Sequence, residues 1–200
     1  MTAAAASSRR GRPGHDLESV LATSVAAFTE QGFDATSIDD LARRLGISKS
    51  AVYHHVPSKD ALLGLALDRA LIGLEEVAEH VRALDAPAVD RLESLLRGSV
   101  RILVERLPYV TLLLRVHGNS DVERQALARR RDLDRFGAEL VRTAVAEGDL
   151  RQDLDPAVTA RLLFGMVNSL TEWLRQTTRY DVDQLADAVA GLAFAGLRVG

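Results

Sequence analysis

Apolar residues recur at helical spacing along almost the whole chain, and capping residues, Gly and Pro mark the gaps between the repeats. Asp16 stands ahead of a stripe of Leu17, Val20, Leu21, Ser24, Val25 and Phe28, which Gly32 ends. Ile38, Leu41, Ala42 and Leu45 then repeat at i, i+3, i+4 and i+7. Thr36 or Ser37 is placed to cap that helix, with Asp39 positioned to close a capping box on Thr36. Gly46, free to take positive φ, ends it. Ser48 caps a short helix that turns Ala51 and Val52 inward; Pro57 stops it and Ser58 caps the next. Two short helices joined by a Gly turn of about 3–4 residues make a helix-turn-helix.

From Ser58 to about Leu84 the pattern runs unbroken through Leu63, Leu67, Leu71, Leu74 and Val81, which predicts about 40 Å of helix. Asp85-Ala86-Pro87 breaks it. Another helix is expected from about Ala88 to Leu107, and a short apolar one from Pro108 to Val116, ended by His117-Gly118-Asn119. Ser120 to Glu147 is a further long helix, with Leu133, Phe136, Gly137, Leu140, Val141 and Ala144 inside and Arg129, Arg130, Arg131, Asp132, Asp134 and Arg135 on its charged face. Asp155 caps a helix with Pro156 at its first position, running to about Thr177, and the last helix covers about Val182 to Leu197. The chain reads as all-α, with about nine helices, no strand and no internal repeat.

Composition agrees. The 200 residues include 47% hydrophobic and only 4% aromatic, so Leu, Val and Ala fill the core, and Leu and Ala favour helix over sheet. There is no cysteine, which excludes disulfides and thiolate metal sites. No run of about 18 apolar residues is present, and the first residues lack a signal peptide's apolar core, so a cytoplasmic protein with no membrane partner is expected. Residues 1–14 are Ala- and Ser-rich and then basic, with Arg9, Arg10 and Arg12. A disordered tail is expected there, either a solubilising extension or an arm that orders on a phosphate backbone.

Net charge is −3, which does not announce a nucleic-acid binder. Local distribution is more informative. The short helix after Gly46 carries Ser48, Lys49, Ser50, Tyr53, His54 and His55 and no acid, and the chain's two lysines are Lys49 and Lys59. An acid-free polar helix suits a DNA major groove, where phosphates repel carboxylates. Periodicity alone leaves an ordinary helical hairpin equally open.

The residues themselves carry a resemblance. Thr36-Ser37-Ile38 leading to Leu41-Ala42, then Leu45-Gly46-Ile47-Ser48, Ser50-Ala51-Val52-Tyr53-His54-His55-Val56 and Ser58-Lys59-Asp60-Ala61-Leu62-Leu63 are similar to the DNA-binding domain of the TetR family of transcriptional regulators. The similarity covers roughly residues 15–63; Val56 stands where the family usually has Phe. It implies a basic tail over 1–14, a helix-turn-helix domain over 15–62 and a ligand-binding and dimerisation domain over 63–200. Thr36, Ser37, Tyr53 and Lys59 are then expected at phosphates, and Arg44, Lys49, Ser50 and His54 at base edges, with Ser48 at the start of the recognition helix.

Past residue 63, polar residues interrupt apolar helices. Asn168, Thr171, Glu172 and Arg175 share a side of the helix that carries Phe164 and Trp173, and His117 and Asn119 follow the helix of Tyr109. Such groups pair with one another, face water, or anchor a ligand in an apolar cavity. The resemblance implies an effector among Tyr109, Leu113, His117, Phe136, Leu140, Phe164, Asn168 and Glu172. Gly165 and Ser169, then Gly191, Ala195 and Gly196, put small residues on the last two helices; close helix approach across a homodimer interface explains them, as does loose packing. The stretch 147–155 is similar to the linker of TetR regulators of lipid and aromatic-acid catabolism, some of which sense acyl-CoA thioesters.

No nucleophile elbow, phosphate loop or HExxH is present; Glu76 and His80 are four apart without a second copy, and His15 and His80 read as surface residues. No catalytic residue, metal or cofactor is expected. The main expectation is a homodimeric repressor that leaves a palindromic operator when a small molecule binds. A helical carrier or adaptor without DNA binding, and an all-α enzyme, are the alternatives.

Overall fold

The computed structural model describes residues 16–153, 155–174 and 180–198. Among these, nine helices follow one another: α1 (Leu17–Gln31), α2 (Ile38–Leu45), α3 (Lys49–His55), α4 (Lys59–Ala83), α5 (Ala88–Glu105), α6 (Leu107–Arg115), α7 (Asp121–Glu147), α8 (Pro156–Trp173) and α9 (Val182–Ala195). One isolated antiparallel bridge, Leu150 to Arg198, is the extended pairing among the described residues. The basic tail with Arg9, Arg10 and Arg12, the expected surface residue His15, and Arg175 lie outside them.

Local chemistry sets the helix starts. Asp16 accepts the Ser19 N–H at 2.8 Å to open α1. Ser58, Ser120 and Asp155 do the same for α4, α7 and α8. The capping box of α2 sits one residue later than expected. Ser37 accepts the Asp40 N–H at 3.1 Å, and the Ser37 N–H donates to Asp40 Oδ2 at 3.0 Å. Thr36 cannot serve because it is buried, and its hydroxyl donates to Gly32 O at 2.8 Å. Leu17, expected in the α1 stripe, lies in the first turn beyond the core and is exposed. Helix α8 ends at Trp173, with Leu174 as its C-cap, rather than near 177, and α9 ends at Ala195 rather than 197.

Helices α1, α2 and α3 pack together over Val20, Leu21, Val25, Phe28, Ile38, Leu41, Leu45 and Val52. Val56 is 2% exposed, so the position where Phe was expected is indeed a packing position, filled here by a smaller side chain. Helix α4 belongs to this unit at its first turns and to the rest of the protein beyond. It packs on α1 at one end and on α5, α6 and α7 along its length. The boundary expected at 62/63 falls between two fully buried leucines of this unbroken helix, and one apolar core continues from Val20 to Phe194. Helix α5 is central to the larger part, touching α4, α6, α7, α8 and α9.

Polar clasps fix the angles between these helices. Arg129 of α7 grips both oxygens of Glu75 at 2.7 Å and also reaches Asp68, both on α4. Arg91 of α5 donates to Val81 O at 3.1 Å at the far end of α4. The turn between α6 and α7 is built around Glu123, which is 4% exposed. Its Oε2 accepts the N–H groups of Gly118 and Asn119, both at 2.7 Å, while its own N–H donates to Ser120 Oγ. Glu123→Ala should therefore leave two part-buried backbone donors without their acceptor and destabilise the protein by about 1–3 kcal/mol, measured by urea denaturation. Glu123→Gln keeps an acceptor and should lose less.

Candidate nucleic-acid interface and ligand cavity

Gly46 takes φ 68°, ψ 29°, the left-handed conformation that lets the chain reverse within three residues. Its N–H and that of Ile47 return to the carbonyls of Arg43 and Ala42. Ser48 then accepts the Ala51 N–H at 3.2 Å and starts α3. Val52 is wholly buried on one side of α3, whereas Ser48, Lys49, Ser50, Tyr53 and His54 are exposed. Five of the residues expected at DNA are thus presented together on one short acid-free helix.

The other four differ. Ser37 is exposed beside α3's end of the unit, but its hydroxyl is committed to the Asp40 box. Hydrogen bonds from Ser37, then the Arg43 charge, hold the Asp40 carboxyl below the usual range. Arg44 is paired with Glu30 of α1 at 2.8 Å. Thr36 is buried, so its side chain offers nothing to a phosphate. Lys59 donates to Phe33 O at 2.8 Å and Thr36 O at 3.0 Å and stands 4.2 Å from the Phe33 ring centre. It braces the α1–α2 turn against α4, and this use of its charge was not visible in the sequence.

Lys49 is also engaged. Its Nζ lies 2.9 Å from Asp39 Oδ2, and that hydrogen bond raises the lysine above its ordinary pKa. Both partners are exposed, so the pair opens readily to solvent.

In the larger part, Leu74, Leu95, Leu103, Val110, Leu113 and Phe164 line an apolar cavity of about 60 Å³, together with Ser99, Arg130, Asp134 and Asn168. Phe164 seats against Gly137, where a Cβ would come within 2.5 Å of the ring. Of the residues expected around an effector, Leu113, Phe164 and Asn168 meet here. Tyr109 faces a separate groove of about 470 Å³ between α1, α6 and α8. Phe136 and Leu140 lie in the buried stripe of α7, with Arg82 4.3 Å from the Phe136 ring centre. His117 is exposed past the end of α6. Glu172 is exposed on a shallow cleft that Asn168 and Arg130 share. Leu74, Leu95 and Leu103 went unassigned because they are ordinary stripe residues, and Arg130 and Asp134 because they read as a solvated face.

The family model for bacterial regulatory proteins of the tetR family matches residues 20–66, and the tetracyclin repressor-like C-terminal domain matches residues 85–197. The second match alone covers more than half of the chain. The chain belongs to the TetR family. A crystal structure of a TetR regulator from Streptomyces coelicolor A3 is 45% identical, covers 90% of this chain and 91% of its own, and superposes with a TM-score of 0.82. AibR, solved in complex with isovaleryl coenzyme A and operator DNA, is 26% identical over 90% of this chain and 98% of its own, with a TM-score of 0.73. The transcriptional repressor KstR2 of Rhodococcus jostii RHA1 is 25% identical over 98% of each chain. In this TetR chain the first match holds the whole of α2 and α3 and the second holds α5 to α9, so the two candidate sites lie in different family domains, joined by α4.

Two outcomes follow for the TetR helix-turn-helix. Asp39→Asn frees Lys49 and removes a carboxylate from the phosphate side. Affinity for random-sequence DNA should rise several-fold and discrimination for the operator should fall, read by fluorescence anisotropy on both duplexes. Lys59→Ala should lower stability by about 1–2 kcal/mol through loss of two carbonyl contacts, seen as a shifted denaturation midpoint without DNA present.

Proposed function

We propose that this TetR-family regulator is a homodimeric transcriptional repressor that holds a palindromic operator and is released from it by a small molecule bound in its C-terminal helices. The observation that carries the DNA half of this reading is α3, a short helix seated by Val52 whose free side is Ser, Lys, Tyr and His without a carboxylate. Lys49, Ser50 and His54 supply donors for base edges, and Ser48 and Tyr53 reach phosphates from the same helix. Such a repressor works where the chromosome is, in the cytoplasm.

Dimerisation is supported by the outer faces of α8 and α9. Val158, Leu162 and Leu192 are 56%, 68% and 76% exposed. The small residues expected at an interface, Gly165, Ser169, Gly191, Ala195 and Gly196, are all exposed beside them, and a Cβ added to any of the three glycines would meet nothing within 4 Å. Among the described residues, nothing of the same subunit packs closely there. A second copy related by a two-fold axis buries the same patch on both subunits and sets two recognition helices about 34 Å apart, the spacing of successive major grooves.

The sensor half rests on the apolar cavity with a few polar groups. The effector it would take is an acyl-CoA thioester, or an aromatic or lipid acid. Helices α4 and α6 both couple the cavity to the DNA-binding unit. Helix α4 contributes Leu74; α6 contributes Val110, Leu113 and Leu114, and its last residue, Arg115, donates to Thr29 O at the end of α1 at 2.7 Å. Effector binding that shifts α6 changes the footing of α1 and with it the separation of the recognition helices.

The test is a salt titration of operator binding with Leu162→Glu alongside. Wild type should show a steep negative slope of affinity against salt concentration. Leu162→Glu should be monomeric by light scattering, stay helical and bind the operator at least tenfold more weakly. A salt-independent wild type would leave the helical-carrier reading; a dimeric variant would move the interface elsewhere.

A further inference from the structure

Next to the apolar cavity lies a second, open cleft of about 500 Å³ between α7 and α8, lined by Arg130, Arg131, Arg135 and Arg161. The two spaces share Arg130, Asp134, Phe164 and Asn168, so an apolar space and a basic one adjoin across the same four side chains. Arg135 is paired with Asp132. Arg130, Arg131 and Arg161 make no hydrogen bond or ion pair of 4.0 Å or less among the described residues. Among the described residues, the only acid lining either space is Asp134, set against Arg130 and Arg161. Surrounding protein atoms raise its carboxyl above the usual range, against the pull of those two arginines, although its surface reaches solvent.

We infer that this composite site takes a short acyl thioester on a phosphate-bearing carrier of the coenzyme A kind, with the acyl group in the cavity and the phosphates on the arginines. The inference rests on the reading of the C-terminal helices as the sensor. Four arginines against one acid, with one arginine already paired, leave more positive charge than a single carboxylate neutralises. Guanidinium groups recognise phosphate oxygens two at a time. The small volume of the apolar part, about 60 Å³, favours a short acyl chain over a long one. Gly137 gives Phe164 its place at the junction, and Asn168 at the same junction offers an amide to a thioester carbonyl.

The experiment is isothermal titration of the full-length protein with butyryl-, hexanoyl- and hexadecanoyl-CoA, CoA alone and free hexanoate, with operator affinity measured on the same samples. Hexanoyl-CoA should bind at least tenfold more tightly than hexadecanoyl-CoA, CoA alone or hexanoate. Arg131→Ala and Arg161→Ala should each weaken it at least fivefold and flatten its salt dependence, while Asp134→Asn should tighten it several-fold. Equal binding of hexanoate and hexanoyl-CoA would overturn the assignment, as would arginine variants of unchanged affinity. Arginine variants that turn monomeric in light scattering would also overturn it, because those side chains would then belong to the second copy. If the expected pattern appears but operator affinity does not respond, the ligand assignment stands and the sensor reading fails. If operator binding and the dimer are intact and none of the five compounds binds, the ligand assignment fails alone.

Discussion

Everything in this molecule hangs on the buried stripe of α4. Leu62, Leu63, Ala66, Leu67, Ala70 and Leu71 are at most 1% exposed, and the helix that carries them packs on α1 of the helix-turn-helix unit and on α5, α6 and α7. A helix clamped along one side behaves as a rigid lever, since interiors packed to crystal-like density do not deform continuously. The DNA-binding unit therefore has no flexible linker to the rest. Its orientation is dictated by where α4 and its neighbours settle.

A lever needs a second point of contact, and α6 provides it. Arg115 holds the carbonyl of Thr29 at the end of α1, and the turn after α6 brings Asn119 to Asp34 and Val122 to Gly64. That turn is stiffened by the buried carboxylate of Glu123, which satisfies two backbone donors at once. Rigidity at this point is what allows a change beside Val110 or Leu113 to be felt at α1 rather than absorbed locally. Arg129, bridging Asp68 and Glu75, ties α7 to the same lever.

Much of this was legible from periodicity and caps. All nine helices and the turn at Gly46 follow from apolar spacing interrupted by Gly, Pro, Ser and Asp, because those residues act on the backbone locally. What escaped depends on contacts between segments. Thr36 with Asp39 and Ser37 with Asp40 both satisfy the capping pattern, and only the burial of Thr36 decides between them. Lys59 looks like any basic residue beside a recognition helix until Phe33 and Thr36 are seen to offer it their carbonyls. Arg130, Arg131 and Asp134 sit on what reads as a solvated helix face; only the position of α8 turns that face into the wall of a cleft. The eight residues expected around an effector are spread over α6, the turn after it, α7 and α8, but a helix presents each side to a different neighbour, and three of the eight reach the cavity.

The small size of that cavity is itself informative about switching. A space of about 60 Å³ admits only a small group without rearrangement. Its walls are Leu74 of α4, Leu95 and Leu103 of α5, Val110 and Leu113 of α6, Leu133 of α7 and Phe164 of α8, so five helices meet around it. Any ligand larger than the cavity must part some of them. Helix α4 is gripped by Arg129, Arg91 and Arg106, whereas α6 is nine residues long, starts from Arg106 without a side-chain cap and is held at its far end by the bond from Arg115 to Thr29 O. Any displacement of α6 beside the cavity is therefore passed along that bond to α1.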